Sequence, residues 1–129
     1  MKVFLYAPAE YWETSKEIVD KVTGGCGPGG FGDYLVPDTI YGLRIREACR
    51  IHDFYYSVFM PGTYECKYEG DRVFLNNMIR IIKAKTENRA LIILRMKRAR
   101  DYYLAVKYYG GGAFWKNKND PENMREVEV

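Results

Sequence analysis

Residues 42–59 read GLRIREACRIHDFYYSVF, and the predicted fold is built around this stretch. Its apolar and aromatic residues recur in steps of three and four, which is the spacing of one face of an α-helix. Met60-Pro61-Gly62 then ends the pattern, because proline and glycine interrupt helices. The predicted buried stripe consists of Ile45, Ala48, Cys49, His52, Tyr55, Tyr56 and Phe59. His52 and Asp53 therefore stand side by side on a helix that must pack against a neighbour.

Three more helices are predicted around this one, over residues 9–22, about 69–85 and about 88–109. The segment 62–69 is predicted as a turn or short hairpin, which places Asp71 in the first turn of the helix that follows. The inward-facing residues of the last two helices are predicted to be Phe74, Leu75, Met78, Ile81 and Ile82, and then Ile92, Met96, Ala99, Tyr103 and Val106. The pattern predicts a mainly α fold.

Length and composition predict one domain over residues 1–129, with a loosely docked tail at 113–129. No apolar run is long enough to predict a transmembrane helix. No secretory signal is visible, which favours a cytoplasmic or a phage- or virus-associated protein, with a secreted mature form as the alternative. The net charge of +3 is too small to make nucleic acid the expected partner.

The cysteine and histidine content excludes several classes of metal site. The three cysteines form no CxxC pair, and His52 is the only histidine in the chain. Zinc sites built from clustered Cys and His ligands are therefore excluded, and so are phosphohydrolases of the HD type, which need further histidine ligands.

A glycine-rich segment, GGCGPGGFG at residues 24–32, precedes the central helix. Glycine lets backbone carbonyls and amides approach a ligand in conformations that other residues resist. The segment could equally be a linker that ends a helix. It is a poor candidate for a nucleotide-phosphate loop, because no GK[ST] follows it.

His52 is a candidate general base, and Asp71 is the candidate for the acceptor that such a base needs on its second ring nitrogen. The helix advances about 10 Å from His52 to Phe59, and ten further residues can span up to about 33 Å, so the chain can return Asp71 to His52. Tyr56, one turn beyond His52, could reach the same carboxylate. The simpler interpretations are a hydrogen-bonded core histidine and an acidic residue favoured by the helix dipole.

Two motifs in this order resemble the signature of the phospholipase A2 superfamily. Residues 26–32 read CGPGGFG and match its C-G-x-G-G-x-G calcium loop, while residues 49–56 read CRIHDFYY and match its C-x-x-H-D-x-x-Y. The resemblance covers roughly residues 24–82. Asp71 follows His52 by only 19 residues, which is similar to the compact bacterial, fungal and viral-type branch without a β-wing.

The resemblance implies a phospholipase A2-like fold with two antiparallel core helices, one carrying His52 and Asp53 and the other Asp71. The motif core would occupy about 24–85, with additional N- and C-terminal helices, the latter at about 88–109. The animal family joins its two motif cysteines, which implies a disulfide between Cys26 and Cys49 in an oxidising compartment.

The implied activity is Ca²⁺-dependent hydrolysis of the sn-2 fatty-acyl ester of a glycerophospholipid. His52 would activate water, and Asp71 and Tyr56 would hold the His52 imidazole in place. The Gly27 amide and Ca²⁺ would stabilise the oxyanion. The implied Ca²⁺ ligands are Asp53 and the backbone carbonyls of Gly25, Gly27 and Gly29.

The implied partner is phospholipid at a membrane or micelle surface. Basic residues of the last helix suit an anionic surface, although they are also typical of a solvated face: Arg95, Lys97, Arg98 and Arg100. The alternative function is a phospholipase A2-like fold without turnover that acts as a binding or structural module, associated with a toxin or a virus. A nucleic-acid binder, which would depend on this helix alone, is a third interpretation.

Overall fold

The computed structural model describes residues 2–23, 36–116, 118–119 and 121–129. Over these residues the protein is mainly helical, which confirms the predicted class. In chain order the elements are α1 (Ala9–Glu13), α2 (Lys16–Val22), β1 (Thr39–Ile40), β2 (Leu43–Arg44), α3 (Arg46–Tyr55), α4 (Tyr64–Lys85), α5 (Arg89–Tyr109), α6 (Gly111–Trp115) and a 3₁₀ turn (Pro121–Asn123). The glycine-rich segment 24–32 lies outside the described residues.

The helix predicted over residues 9–22 is two helices, α1 and α2, separated at Thr14 and Ser15. The Thr14 hydroxyl donates to the carbonyl of Glu10, and the Thr14 backbone is extended. The Ser15 hydroxyl accepts a hydrogen bond from the Ile18 amide and so caps the start of α2. Short polar side chains that bond their own backbone favour such breaks over a continuous helix.

The helix predicted from Gly42 begins at Arg46, because a hairpin occupies the residues before it. Strands β1 and β2 pair antiparallel, with Thr39 opposite Arg44 and Ile40 opposite Leu43. The two turn residues, Tyr41 and Gly42, both have positive φ, at 45° and 79°. Positive φ at both central positions is typical of the tight turns that join two-residue hairpins.

The predicted turn at 62–69 is wrong, because α4 already begins at Tyr64. The Thr63 hydroxyl accepts a hydrogen bond from the Cys66 amide at 3.1 Å, which caps the helix there. Asp71 therefore lies in the third turn of α4 and not in its first. The interpretation of Asp71 as an acidic residue near the positive end of the dipole fails, since that effect is confined to the first turn.

Helices α3 and α4 pack antiparallel and very close together. Cys66, near the start of α4, contacts the carbonyl of Tyr55 at the end of α3, whereas Phe74 stacks on His52 one turn earlier. A Cβ atom placed on Gly70 would lie 2.7 Å from Cβ of Tyr55, so only glycine permits this approach. Helix α5 packs along α4.

The core consists of two clusters of buried side chains. The first lies among the hairpin, α3, α4 and α5: Val36, Ile40, Ile45, Ala48, Cys49, Phe74, Met78, Ile81, Ile82, Ala99, Tyr102 and Val106. The second joins α1, α2, α3, the first half of α4 and α6: Ala7, Tyr11, Val19, Ile51, Phe54, Tyr55, Tyr56, Met60, Cys66, Val73 and Phe114. Most of the predicted inward-facing residues lie in these clusters or pack against them.

Three details of the predicted burial pattern are wrong. Tyr102 is buried in place of Tyr103, and Phe59 lies beyond the end of α3 and is 44% exposed. The segment after α5 is docked through Phe114, which is fully buried, and Lys118, which donates to the carbonyl of Tyr55 at the end of α3 and to those of Met60 and Pro61 in the α3–α4 connection. Among the described helices, none combines the length and the apolar character needed to cross a bilayer.

Candidate functional site

The only histidine of the chain forms a buried hydrogen bond between α3 and α4. Nε2 of His52 lies 2.8 Å from Oδ1 of Asp71, and the two residues are 5% and 1% exposed. The antiparallel packing of the two helices brings together side chains that are 19 positions apart. This contact is present as the chain geometry predicted, although the two helices are joined by a shorter connection.

Tyr56 lies on the same carboxylate oxygen. Its hydroxyl donates to Oδ1 of Asp71 at 2.7 Å, and its ring centroid lies 4.3 Å from that of His52. The imidazole also stacks on Phe74, with ring centroids 4.7 Å apart. The imidazole is thus held by contacts with two aromatic rings and by a hydrogen bond at Nε2.

Lys67 is a member of this site that the sequence analysis missed. Its ammonium donates to Oδ2 of Asp71 at 2.8 Å, and to the carbonyls of Val106 at 3.1 Å and Lys107 at 3.4 Å. Lys67 and Asp71 are four residues apart, which is the spacing of a helical ion pair. The sequence analysis does not recognise this spacing as a helical pair, because it predicts residues 62–69 as a turn. We call His52, Tyr56, Lys67 and Asp71 the buried network.

The charges in the buried network are set by its hydrogen bonds. Burial alone would raise the pKa of Asp71, but hydrogen bonds and charge from His52, together with hydrogen bonds from Lys67 and Tyr56, hold it below its ordinary value. The pKa of Tyr56 is raised by burial, by the charge and hydrogen bond of Asp71, and by the charge of Asp53. Asp71 is therefore an ionised acceptor and Tyr56 a neutral donor.

This arrangement determines which nitrogen of His52 is basic. An ionised carboxylate only accepts hydrogen bonds, so Nε2 of His52 must carry the hydrogen that lies between it and Asp71. In the neutral imidazole the other nitrogen, Nδ1, then holds the lone pair. A base held by a carboxylate in this way can take a proton from water and carry positive charge while the carboxylate stabilises it.

Asp53, the residue after His52, is 1% exposed. At 3.6 residues per turn its side chain leaves α3 about 100° from that of His52. The predicted partners in Ca²⁺ binding, Gly25, Gly27 and Gly29, lie outside the described residues. One carboxylate with backbone carbonyls is an oxygen-only ligand set, which suits Ca²⁺. Within the described ranges, no three His, Cys, Asp or Glu side chains cluster as a metal site would require.

Of the two cysteines on the described helices, one forms a disulfide and the other is a free thiol. Cys49 on α3 is in a disulfide, and Cys66 on α4 is a free, buried thiol. The predicted partner of Cys49, Cys26, lies outside the described residues. Burial raises the pKa of the Cys66 thiol, so it is a poor nucleophile and a packing residue.

A pocket of about 350 Å³ opens against the buried network from the α4–α5 side. Its walls are Tyr68, Asp71, Arg72, Tyr103 and Lys107. Its walls therefore come from α4 and α5, and Asp71 is one of the α4 residues that line it. Water therefore has a route to the neighbourhood of Asp71, although that residue itself is almost fully covered.

Two of the four basic residues assigned to a lipid-facing surface have a structural role. Arg95 donates to the Thr86 hydroxyl at 2.7 Å and to the Tyr41 carbonyl at 2.8 Å, and Arg98 donates to the Tyr41 hydroxyl at 3.0 Å. We call Tyr41, Thr86, Arg95 and Arg98 the hairpin anchor. The outward stripe of α5 consists of residues at helical spacing, four of them exposed and Leu104 half-buried: Ile93, Lys97, Arg100, Leu104 and Tyr108.

Comparison of the chain with protein-family models, with curated proteins and with solved structures finds no match.

Proposed function

We propose that this protein is a phospholipase A2-like esterase that hydrolyses the sn-2 fatty-acyl ester of glycerophospholipids with Ca²⁺ as cofactor. The observation that carries the proposal is the buried hydrogen bond from Nε2 of His52 to Asp71, with Tyr56 on the same oxygen. The antiparallel pair α3 and α4, with His52 and Asp53 on one helix and Asp71 on the other, supports a phospholipase A2-like arrangement of the compact type.

In the proposed reaction His52 is the general base. Nδ1 takes a proton from a water molecule whose oxygen attacks the ester carbonyl carbon, and Asp71 stabilises the imidazolium that results. When the tetrahedral intermediate collapses, the bond to the glycerol oxygen breaks and the imidazolium returns its proton to that oxygen. The products are a fatty acid and a lysophospholipid.

Asp53 would hold Ca²⁺ together with the carbonyls of Gly25, Gly27 and Gly29, and the Gly27 amide would face the oxyanion. When bound, Ca²⁺ polarises the ester carbonyl and binds the phosphate. The role of the chain is to hold the Asp53 carboxylate beside the base, at the adjacent position on a rigid helix.

We infer that the protein meets its substrate at an anionic lipid surface through the outward stripe of α5. Lys97 and Arg100 supply charge, and Ile93, which is 69% exposed, and Tyr108, which is 67% exposed, supply apolar area. Charge attraction and apolar burial together drive interfacial binding. Replacing Lys97 and Arg100 with glutamine should weaken binding to vesicles that contain anionic lipid, and a matched Arg44→Gln/Arg46→Gln variant should not.

The test of the function is release of fatty acid from phospholipid vesicles in the presence and absence of Ca²⁺. The wild type should release fatty acid only with Ca²⁺, and His52→Gln should be at least about a hundredfold slower, because it lacks the base. Asp53→Asn should lose the response to Ca²⁺. Arg98→Met, which alters an exposed residue far from the buried network, should retain full activity.

Two results would overturn the proposal. Turnover that survives in His52→Gln would assign the activity to another site or to a contaminant. A wild type that folds, binds Ca²⁺ and vesicles, and releases no fatty acid would favour the noncatalytic binding module instead.

A further inference from the structure

Among the residues that the structure describes, Lys67 is the one lysine or arginine that is buried, at 5% exposure. An ammonium group has three hydrogens to donate, and three acceptors surround it. They are Oδ2 of Asp71 and the carbonyls of Val106 and Lys107, at 2.8, 3.1 and 3.4 Å. The charge of Lys67 is therefore balanced by Asp71, and each of its three hydrogens has an acceptor.

The last turn of α5 explains why a lysine is tolerated at this position. The last carbonyls of a helix lack partners within it, and the Lys107 carbonyl lies in this last turn of α5. The Val106 carbonyl accepts the Gly110 amide at 2.9 Å and uses its second lone pair for Lys67. The same end of the helix carries partial negative charge, which favours a cation. Burying Lys67 would be costly without Asp71, since an uncompensated charge inside a protein destabilises it strongly.

The contacts divide the two oxygens of Asp71 between different partners. Oδ2 accepts from Lys67, while Oδ1 accepts from both His52 and Tyr56. A carboxylate that is held at both oxygens cannot rotate about its Cβ–Cγ bond without breaking contacts on each side. The orientation that presents Oδ1 to the imidazole is thus enforced from the α5 side.

We propose that Lys67 is a positioning residue of this site, which holds Asp71 so that His52 keeps its hydrogen on Nε2 and its lone pair on Nδ1. The consequence for catalysis rests on the proposed function, but the tautomer of His52 does not. If Lys67 served only as a stabilising ion pair, its loss would lower stability and leave the tautomer unchanged.

The test uses nitrogen NMR, because the single histidine of the chain gives one unambiguous pair of ring signals. At alkaline pH, where imidazole is neutral, the wild type should show the Nε2–H tautomer alone. Lys67→Met should show a mixture of both tautomers. The matched control is Lys107→Met, which removes an exposed ammonium near the same pocket and should leave the tautomer unchanged.

A kinetic measurement accompanies the spectrum. In Lys67→Met, kcat for ester hydrolysis should fall about ten- to a hundredfold with KM unchanged, since a misoriented base affects the chemical step and not substrate binding. If the wild type hydrolyses no ester, the proposed function fails, and the NMR result still decides the role of Lys67.

Should Lys67→Met not fold, Lys67→Gln takes its place, since the amide can still donate to Asp71 but carries no charge. It should show a smaller shift in the tautomer ratio than Lys67→Met would. A folded variant at position 67 that keeps the pure Nε2–H tautomer would overturn the proposal, even if its stability is reduced.

Discussion

Helix α5 is held near its two ends by cations in opposite surroundings. At its carboxyl end the ammonium of Lys67 is buried and bound by an ionised carboxylate and two carbonyls. Towards its amino end the guanidinium of Arg95 is half-buried and is bound by a hydroxyl and a carbonyl, with no carboxylate among the contacts described for it. Both groups tie α5 to a distant part of the chain.

Burial determines which partners a charged group needs. Arg95 is half-buried, so water still reaches part of its guanidinium and neutral oxygens suffice as its hydrogen-bond acceptors. Lys67 is removed from water, so every hydrogen needs an acceptor and the charge needs a counterion. We therefore expect substitutions in the buried network to have much larger effects than those in the hairpin anchor.

The largest effect is expected for Asp71→Asn. The substitution leaves Lys67 buried without a counterion, and the free energy of unfolding should fall by about 3–5 kcal/mol. Urea denaturation followed by circular dichroism measures this. Asp101→Asn, at an exposed position on α5, is the control and should change little. Equal losses in the two variants would contradict the difference between buried and exposed charges.

Acid should remove the same stabilisation in the wild type. The pKa of Asp71 is depressed below its ordinary 3.8, so its contribution to stability is present above about pH 3.8 and is lost as the pH falls through the folded value. Thermal unfolding across this acidic range should show a steeper loss of stability in the wild type than in Asp71→Asn. Parallel curves would show that Asp71 does not titrate in this window.

Gly70→Ala should be the next most damaging change. A methyl group there would lie 2.7 Å from Cβ of Tyr55, and the two helices around the buried network would have to separate. We expect a loss of about 1–3 kcal/mol. Gly112→Ala is the matched control, because its Cβ would meet nothing within 4 Å and alanine favours the helix. A neutral Gly70→Ala would mean that α3 and α4 are less closely packed than described.

The smallest effects are expected at the hairpin anchor. Arg95→Met removes two hydrogen bonds at a half-buried position and should cost about 1 kcal/mol. Arg98→Met should lower the melting temperature less than Arg95→Met, since its hydrogen bond to the Tyr41 hydroxyl is exposed to solvent. Differential scanning calorimetry of both variants beside the wild type measures this. A loss at Arg95 as large as that at Asp71 would show that screening by water is not the deciding factor.

Hydrophobic periodicity was enough to predict the helical class, the approximate position of α5 and the stripe of α3 that carries His52. It also allowed Asp71 to be paired with His52, because the chain between them is long enough to return. Periodicity failed at the start of α4, where the capping hydroxyl of Thr63 extends the helix by more than a turn beyond the apolar pattern.

The sequence alone therefore predicts the helical class and the adjacent imidazole and carboxylate on α3. It also predicts a connection long enough for a second carboxylate to reach them. It does not reveal that Lys67 is buried, that Gly70 sets the distance between two helices, or that Arg95 secures a hairpin turn. Those features depend on partners that are dozens of positions away or on another helix. Packing in three dimensions decides them, because the cost of burying a charge or a methyl group depends on what surrounds it.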